Sequence, residues 1–142
     1  MEDLVDTLTF GNPSAVKAVL ASVAAALAVY QLALIAVAYG KARPRMLSAP
    51  VASFTHRASG DAILVLVVVV ALFCLARFHL DDDGAVHAIS GAALFVALGL
   101  KLAVLHRWHR LGRFLPLLGT TVFVLLAITW LTSAGHFLAE GE

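Results

Sequence analysis

The chain has 142 residues, of which 61% are hydrophobic, and its formal net charge is only +1. Soluble globular chains are about 45 to 50% apolar, so the composition argues against water as the main solvent of this protein. The near-neutral charge gives no reason to expect nucleic acid as a partner. The single cysteine, Cys74, lies in an apolar run and excludes an intrachain disulfide.

Charged residues collect in short clusters between four long apolar runs, which is the pattern of membrane spans joined by short loops. The N-terminus is acidic, so we expect no cleaved signal peptide. Asn12 and Pro13 are typical of a helix start. The four runs predict helices over about 15–39, 52–79, 85–109 and 116–138.

Each run is close to the roughly 20 residues that cross the hydrocarbon core as a helix. None shows the alternating polar pattern of a barrel strand. The sequence therefore predicts an all-α integral membrane protein, a four-helix transmembrane bundle forming a single domain over residues 1–142.

The orientation of the bundle follows from its basic residues, which are enriched in cytoplasmic loops. The first and third connections are basic, whereas the second connection and both termini are acidic. We therefore expect both termini on the outer side of the cell membrane. The residues behind this assignment are Lys41, Arg43, Arg45, Arg57, Arg107, Arg110 and Arg113.

Polar residues are rare in the spans, so each one is a functional candidate. The six histidines all lie near predicted helix ends: His56, His79, His87, His106, His109 and His136. Two of them open the same five-residue word, His-x-x-Ser-Gly, at 56–60 and 87–91. Residues four apart share a helix face, so Gly60 and Gly91 would leave room beneath each imidazole for a flat group.

Folding spans two and three about the Asp82-Asp83 turn places His56 and His106 at similar depth, with a mismatch of three residues, about 4.5 Å of helical rise. Folding spans three and four about Gly112 likewise places His87 level with His136 on the outer side. The sequence therefore predicts an inner and an outer histidine level.

A pair of level imidazoles inside a bundle can hold a b-type haem. His56 and His106 are the predicted axial ligands of one inner haem, with Arg57, Lys101 or Arg107 beside its propionates, and the outer level is a candidate for a second. Bis-histidine ligation holds two helices further apart than the 8 to 10 Å of close packing. Spans two and three would then have to splay or lie diagonally.

The segments Thr55–Asp61, Val86–Gly91 and Leu105–Arg107 resemble small membrane cytochromes of the cytochrome b561 and ferric-reductase type. The resemblance covers spans two and three. It implies bis-histidine b haems that carry electrons, but the usual second ligand deep in the outer half of span two is replaced by Ala71-Leu72-Phe73-Cys74-Leu75. The word at His56 also resembles a segment near the quinone site of succinate dehydrogenase membrane anchors.

Simpler interpretations stand beside these. Histidines, arginines and tryptophans at helix ends are also typical of interfacial anchors. Lys101 lies about one turn inside the membrane and can extend its ammonium to the surface. His87 and His136, with the aspartates of the second loop, are an alternative outer metal site. Gln31 and the threonines of span four are expected to form interhelical hydrogen bonds.

The first hypothesis is a membrane b-type cytochrome that passes electrons between a quinol or partner protein and an acceptor. The second is a cofactor-free anchor or accessory subunit of a larger complex. The small residues of span one suit packing within the bundle or between protomers. An outer metal-binding or transport protein ranks last, because spans one and four lack the broken helices of transporters.

Overall fold

A computed structural model describes residues 7, 10–41, 48–76, 85–135 and 138–139. Four α-helices cover most of them: α1 (Pro13–Ala38), α2 (Ala49–Ala76), α3 (Ala85–His106) and α4 (Leu115–Trp130). A 3-10 helix, His109–Phe114, precedes α4, and a π-helical turn, Leu131–Gly135, follows it.

All four helical segments are long and apolar enough to cross a membrane: Ser14–Ala38, Ala49–Leu75, Ala85–His106 and His109–Gly135. Within them, many large apolar side chains point away from the bundle, as expected where lipid is the solvent. Val19, Val65 and Val96, for example, are each more than half exposed. The predicted four-helix transmembrane bundle is confirmed, while the orientation of its termini stays a prediction.

The predicted start of α1 is confirmed in detail. The Asn12 side-chain oxygen accepts a hydrogen bond from the backbone N–H of Ala15 at 3.0 Å, which satisfies one of the free donors at the helix start. The helix ends at Ala38 with Tyr39 as its C-cap, and Gly40 follows with φ +71°, a conformation that glycine adopts without strain.

Two helix boundaries differ from the predicted ones. Helix α2 begins at Ala49, before Pro50 rather than after it, because proline in the first turn gives up an N–H that has no helical partner there. Helix α3 ends at His106, not near residue 109, and the chain continues into the 3-10 helix. The predicted end of span two at residue 79 lies outside the described residues.

The bundle is built from two closely packed pairs, α1 with α2 and α3 with α4, joined mainly through α1 and α4. Close backbone approaches between α2 and α3 are nearly absent from the described residues. Side chains from all four helices still meet in one apolar core: Ala28, Ile63, Val67, Leu94, Ala97, Leu98, Val122 and Leu126. Helices α2 and α3 therefore share a core while their backbones stay apart.

Candidate functional site

The first His-x-x-Ser-Gly word lies in α2 and is held by a side chain of α1. The Gln31 amide Nε2 donates to the backbone carbonyl of His56 at 3.1 Å and to the Ser59 hydroxyl at 3.3 Å. The Ser59 hydroxyl in turn donates to the Thr55 carbonyl at 2.8 Å. Gln31 is therefore the interhelical hydrogen-bonding residue that the sequence predicted.

The glycine of this word makes room for the same glutamine. A Cβ atom added at Gly60 would lie 3.1 Å from Gln31 Nε2, closer than an ordinary van der Waals contact. The space that we expected Gly60 to leave for a flat cofactor is therefore taken by the Gln31 side chain. Because Gln31 belongs to α1, the spacing of residues within α2 could not predict that this space is filled.

The second word lies in α3 and is held by α4. Ser90 is only 6% exposed, its hydroxyl donates to the His87 carbonyl at 3.1 Å, and it accepts from the Thr129 hydroxyl at 3.2 Å. The first word is thus held by the preceding helix and the second by the following one, an inverted relation between the two helix pairs. Gly91 has no neighbouring atom near its Cβ position, so the space there is open.

His56 points into the bundle. It follows buried Ala52 by four residues and precedes buried Ile63 by seven, so the three residues share one face of α2. Its imidazole Nδ1 is a buried polar atom with no hydrogen-bond partner. Such an atom is uncommon in a folded protein and calls for an explanation.

Lys101 is the residue of α3 that faces His56. It lies seven residues after Leu94 and four after Ala97, both buried, so it belongs to the inward face of α3. The Lys101 ammonium interacts electrostatically with the His56 imidazole. The sequence predicted an inner basic cluster but did not predict that Lys101 would be the member on the inward face of α3.

His106 lies five residues after Lys101, about 140° further round α3, and its side chain is exposed. Its Nδ1 is 3.0 Å from the Leu102 carbonyl oxygen. Since a carbonyl only accepts, Nδ1 carries a proton, and in the neutral imidazole Nε2 is the nitrogen with the free lone pair. Arg57 and Arg107 are exposed as well. The predicted inner level thus combines an inward His56 with an outward His106.

At the opposite end of the bundle, His87 Nδ1 lies 3.3 Å from the Thr132 hydroxyl. That hydroxyl donates to the Ile128 carbonyl at 2.9 Å, so its oxygen accepts from the imidazole. Nδ1 therefore carries a proton, and in the neutral imidazole Nε2 is the nitrogen with the free lone pair. The predicted partner His136 lies outside the described residues, as do His79 and Asp81–Asp83.

Trp130 and the residues of the α1–α4 interface form a second feature that the sequence did not predict. The indole N–H donates to the Ser22 hydroxyl at 3.0 Å, so Trp130 joins α4 to α1. Beside this bond lies an apolar groove of about 320 Å³, lined mainly by small side chains of α1 and by Phe123, Leu126 and Ala127 of α4. Tryptophans near helix ends are equally typical of interfacial anchors, so the position of Trp130 in the sequence did not indicate its contact with Ser22.

No group of three or more histidine, cysteine or acidic side chains comes together within the part of the chain that the structure describes. A two-ligand haem needs no such group.

Comparison with known proteins adds little to this description. One family model, that of a family of unknown function, matches residues 2–142. No curated protein and no solved structure matches the chain. A function has to be argued from the residues themselves.

Proposed function

We propose a membrane-embedded electron carrier with a b-type haem for this chain, which belongs to the DUF6529 family, a family of unknown function. The haem would lie in the half of the bundle where α2 begins and α3 ends, with His56 and His106 as its axial ligands. The donor would be a quinol or a partner protein, and the cell membrane the site of action.

The observation that carries the proposal is the buried, unpartnered Nδ1 of His56. Leaving a buried polar atom unsatisfied costs on the order of 1 to 3 kcal/mol. The His56 imidazole points into the bundle, and no described side chain bonds to its Nδ1. This nitrogen can therefore contact a bound group. A prosthetic group beside the imidazole would use it.

Two further features fit a haem at this position. The few close backbone contacts between α2 and α3 leave these helices further apart than packed neighbours, which bis-histidine ligation requires. The second is that His106 can hold its proton on Nδ1 and offer Nε2 to the iron, as it does where Nδ1 contacts the Leu102 carbonyl; turning inward to the iron would give up that contact. His106 is exposed, so its side chain would have to turn inward to reach the iron.

The basic residues around this level suit the anionic edge of a haem. Lys101 lies on the inward face of α3, and exposed Arg57 and Arg107 lie near the same end of the bundle. Cations pair with propionates through charge-assisted hydrogen bonds. A bound b-type haem would supply one-electron redox chemistry, and the protein would set its orientation and potential.

A visible spectrum of the purified full-length chain tests the proposal. Protein expressed with adequate haem should show sharp haem b bands in the reduced-minus-oxidised spectrum. His56→Ala and His106→Ala should each abolish or shift these bands, whereas His109→Ala, an exposed histidine just beyond α3, should leave them unchanged. A colourless wild-type protein would refute the proposal.

A cofactor-free accessory subunit is the second candidate, and the groove between α1 and α4 favours it. The groove is lined by small residues such as Ala25 and Ala26, which let a partner helix approach closely. This candidate predicts a colourless protein that copurifies with a membrane partner. Ala26→Leu would fill the groove and release that partner, while Ala33→Leu, at an exposed position further along α1, would retain it.

A further inference from the structure

The segment between α3 and α4, Arg107–Phe114, repeats a three-residue pattern. Its residues read Arg-Trp-His, Arg-Leu-Gly, Arg-Phe, so a cation, an apolar residue and a third residue alternate in that order. The period of three differs from the 3.6 residues of an α-helix. In an α-helix the three arginines would drift around the axis rather than align.

The structure gives this segment the geometry that matches its period. Residues His109–Phe114 form a 3-10 helix, which has three residues per turn and places residues i and i+3 directly above one another. Leu111 N–H donates to the Trp108 carbonyl at 2.8 Å, the spacing of this helix type. Arg110 and Arg113 therefore form one row and Leu111 and Phe114 a second.

Both rows are open to the surroundings. Arg107 and Trp108 precede the 3-10 helix, with Trp108 at its N-cap, and all three arginines are exposed. Trp108 is 50% exposed, and in the apolar row Leu111 is 38% and Phe114 40% exposed. The segment packs against the ends of α3 and α4, so its free sides lie where the bundle meets the membrane surface.

The three arginines lie in a stretch of the chain without carboxylates. Residues 85–139 contain no aspartate or glutamate. Among the described residues the carboxylate is Asp61, which is exposed on α2. The Arg113 guanidinium instead lies over the Phe114 ring, 4.8 Å from its centroid, which joins the cationic row to the apolar one.

We propose that Arg107–Phe114 binds the headgroups of anionic phospholipids in the leaflet at this end of the bundle. The arginine row would pair with phosphate oxygens, because the planar guanidinium offers them two parallel N–H donors. The apolar row would lie among the upper acyl chains. A cationic row beside an exposed apolar row is the arrangement of interfacial segments that prefer anionic lipid. Apart from Arg107, which the haem proposal also uses, this segment shares no residue with the proposed haem site.

Lipid binding to the full-length chain in detergent tests the proposal, with phosphatidylglycerol and phosphatidylcholine as probes and native mass spectrometry as the readout. The wild type should retain phosphatidylglycerol preferentially. Arg110→Gln and Arg113→Gln should each weaken this binding about fivefold, the effect of removing one interfacial cation. Lys41→Gln, at the exposed end of α1, removes the same charge and should change it little. Equal losses in all three variants would mean that net charge alone attracts the lipid.

A variant of the same composition distinguishes the effect of the two-row arrangement from the effect of net charge. The exchange Arg110→Leu with Leu111→Arg keeps every residue type but moves each side chain to the other row. The preference for phosphatidylglycerol should fall although the charge is unchanged. An unaltered preference would refute the two-row site. Inorganic phosphate added in excess should not displace the lipid, since it lacks the acyl chains; displacement would mean a site for phosphate rather than for lipid.

The depth of the apolar row provides a second readout. The chain has two tryptophans, so Trp130→Phe leaves Trp108 as the reporter. Lipids brominated near the headgroup should quench Trp108 more strongly than lipids brominated near the chain end, and more strongly in vesicles that contain phosphatidylglycerol. If Trp130→Phe destabilises the bundle, the difference between wild type and Trp108→Phe gives the same quantity. Quenching only by an aqueous quencher would contradict membrane contact.

Discussion

The side-chain amide of Gln31 in α1 donates to the main-chain carbonyl of His56 in α2 at 3.1 Å. The carbonyl belongs to the residue whose imidazole turns into the bundle, so one glutamine fixes the position of the α2 backbone at the proposed site. The same amide reaches Ser59. Polar contacts thereby join α1 and α2 at the level of the proposed haem ligand His56.

Replacing Gln31 by leucine should destabilise the bundle modestly. Hydrogen bonds between transmembrane helices average about 0.6 kcal/mol and reach about 1.7 kcal/mol, and Gln31 makes two such bonds. The free energy of unfolding in mixed detergent micelles measures the loss. Tyr30→Phe, at the exposed neighbouring position, is the control and should have no effect. Equal stabilities of wild type and Gln31→Leu would show that the two bonds contribute nothing.

Alanine at the two glycines of the repeated words should have different effects. Gly91 has open space at its Cβ position, so Gly91→Ala should stabilise the helix by up to about 1 kcal/mol. At Gly60 the new methyl group would contact Gln31 at 3.1 Å, so Gly60→Ala should gain less or lose stability.

A double variant checks the cause of that difference. In a Gln31→Ala background the obstruction at residue 60 is gone, so Gly60→Ala should regain the benefit seen at Gly91. The readout is again the free energy of unfolding. Identical effects of Gly60→Ala in both backgrounds would rule out the contact with Gln31 as the reason.

The hydrogen bond from Trp130 to Ser22 should stabilise the contact of α1 with α4. Trp130→Phe and Ser22→Ala should each lower the free energy of unfolding, and the double variant should lose less than their sum, because both changes remove the same bond. The coupling should be on the order of 0.6 kcal/mol. Strictly additive losses would indicate that the bond does not contribute.

If haem binds, Lys101→Met should lower its midpoint potential. Lys101 is on the inward face of α3 and interacts electrostatically with His56, and a positive charge near the iron disfavours its oxidised, more positive state. A redox titration of the purified holoprotein measures the shift. Lys41→Met removes an exposed cation just after α1 and serves as the control. A potential that is unchanged in Lys101→Met would place the lysine away from the iron.

Much of the candidate site could be predicted from local signals. The histidine words, the rarity of polar residues in the spans and the Asn12 cap depend on neighbouring residues in the chain, and they identified His56, His87, Gln31 and Thr129 as residues of interest. The role of Gly60 was not predictable in this way, because the atom that fills its space belongs to another helix. The triplet of arginines was visible in the sequence, but its significance required the 3-10 geometry.

The amino-acid sequence by itself determined that four apolar helices cross a membrane, because hydropathy and length are properties of each segment alone. Only the tertiary structure decided how each helix is rotated. In a membrane bundle both the lipid-facing and the core-facing sides are apolar, so periodicity gives little indication of which side is buried. Packing of all four helices turned Lys101 toward His56 and His106 outward.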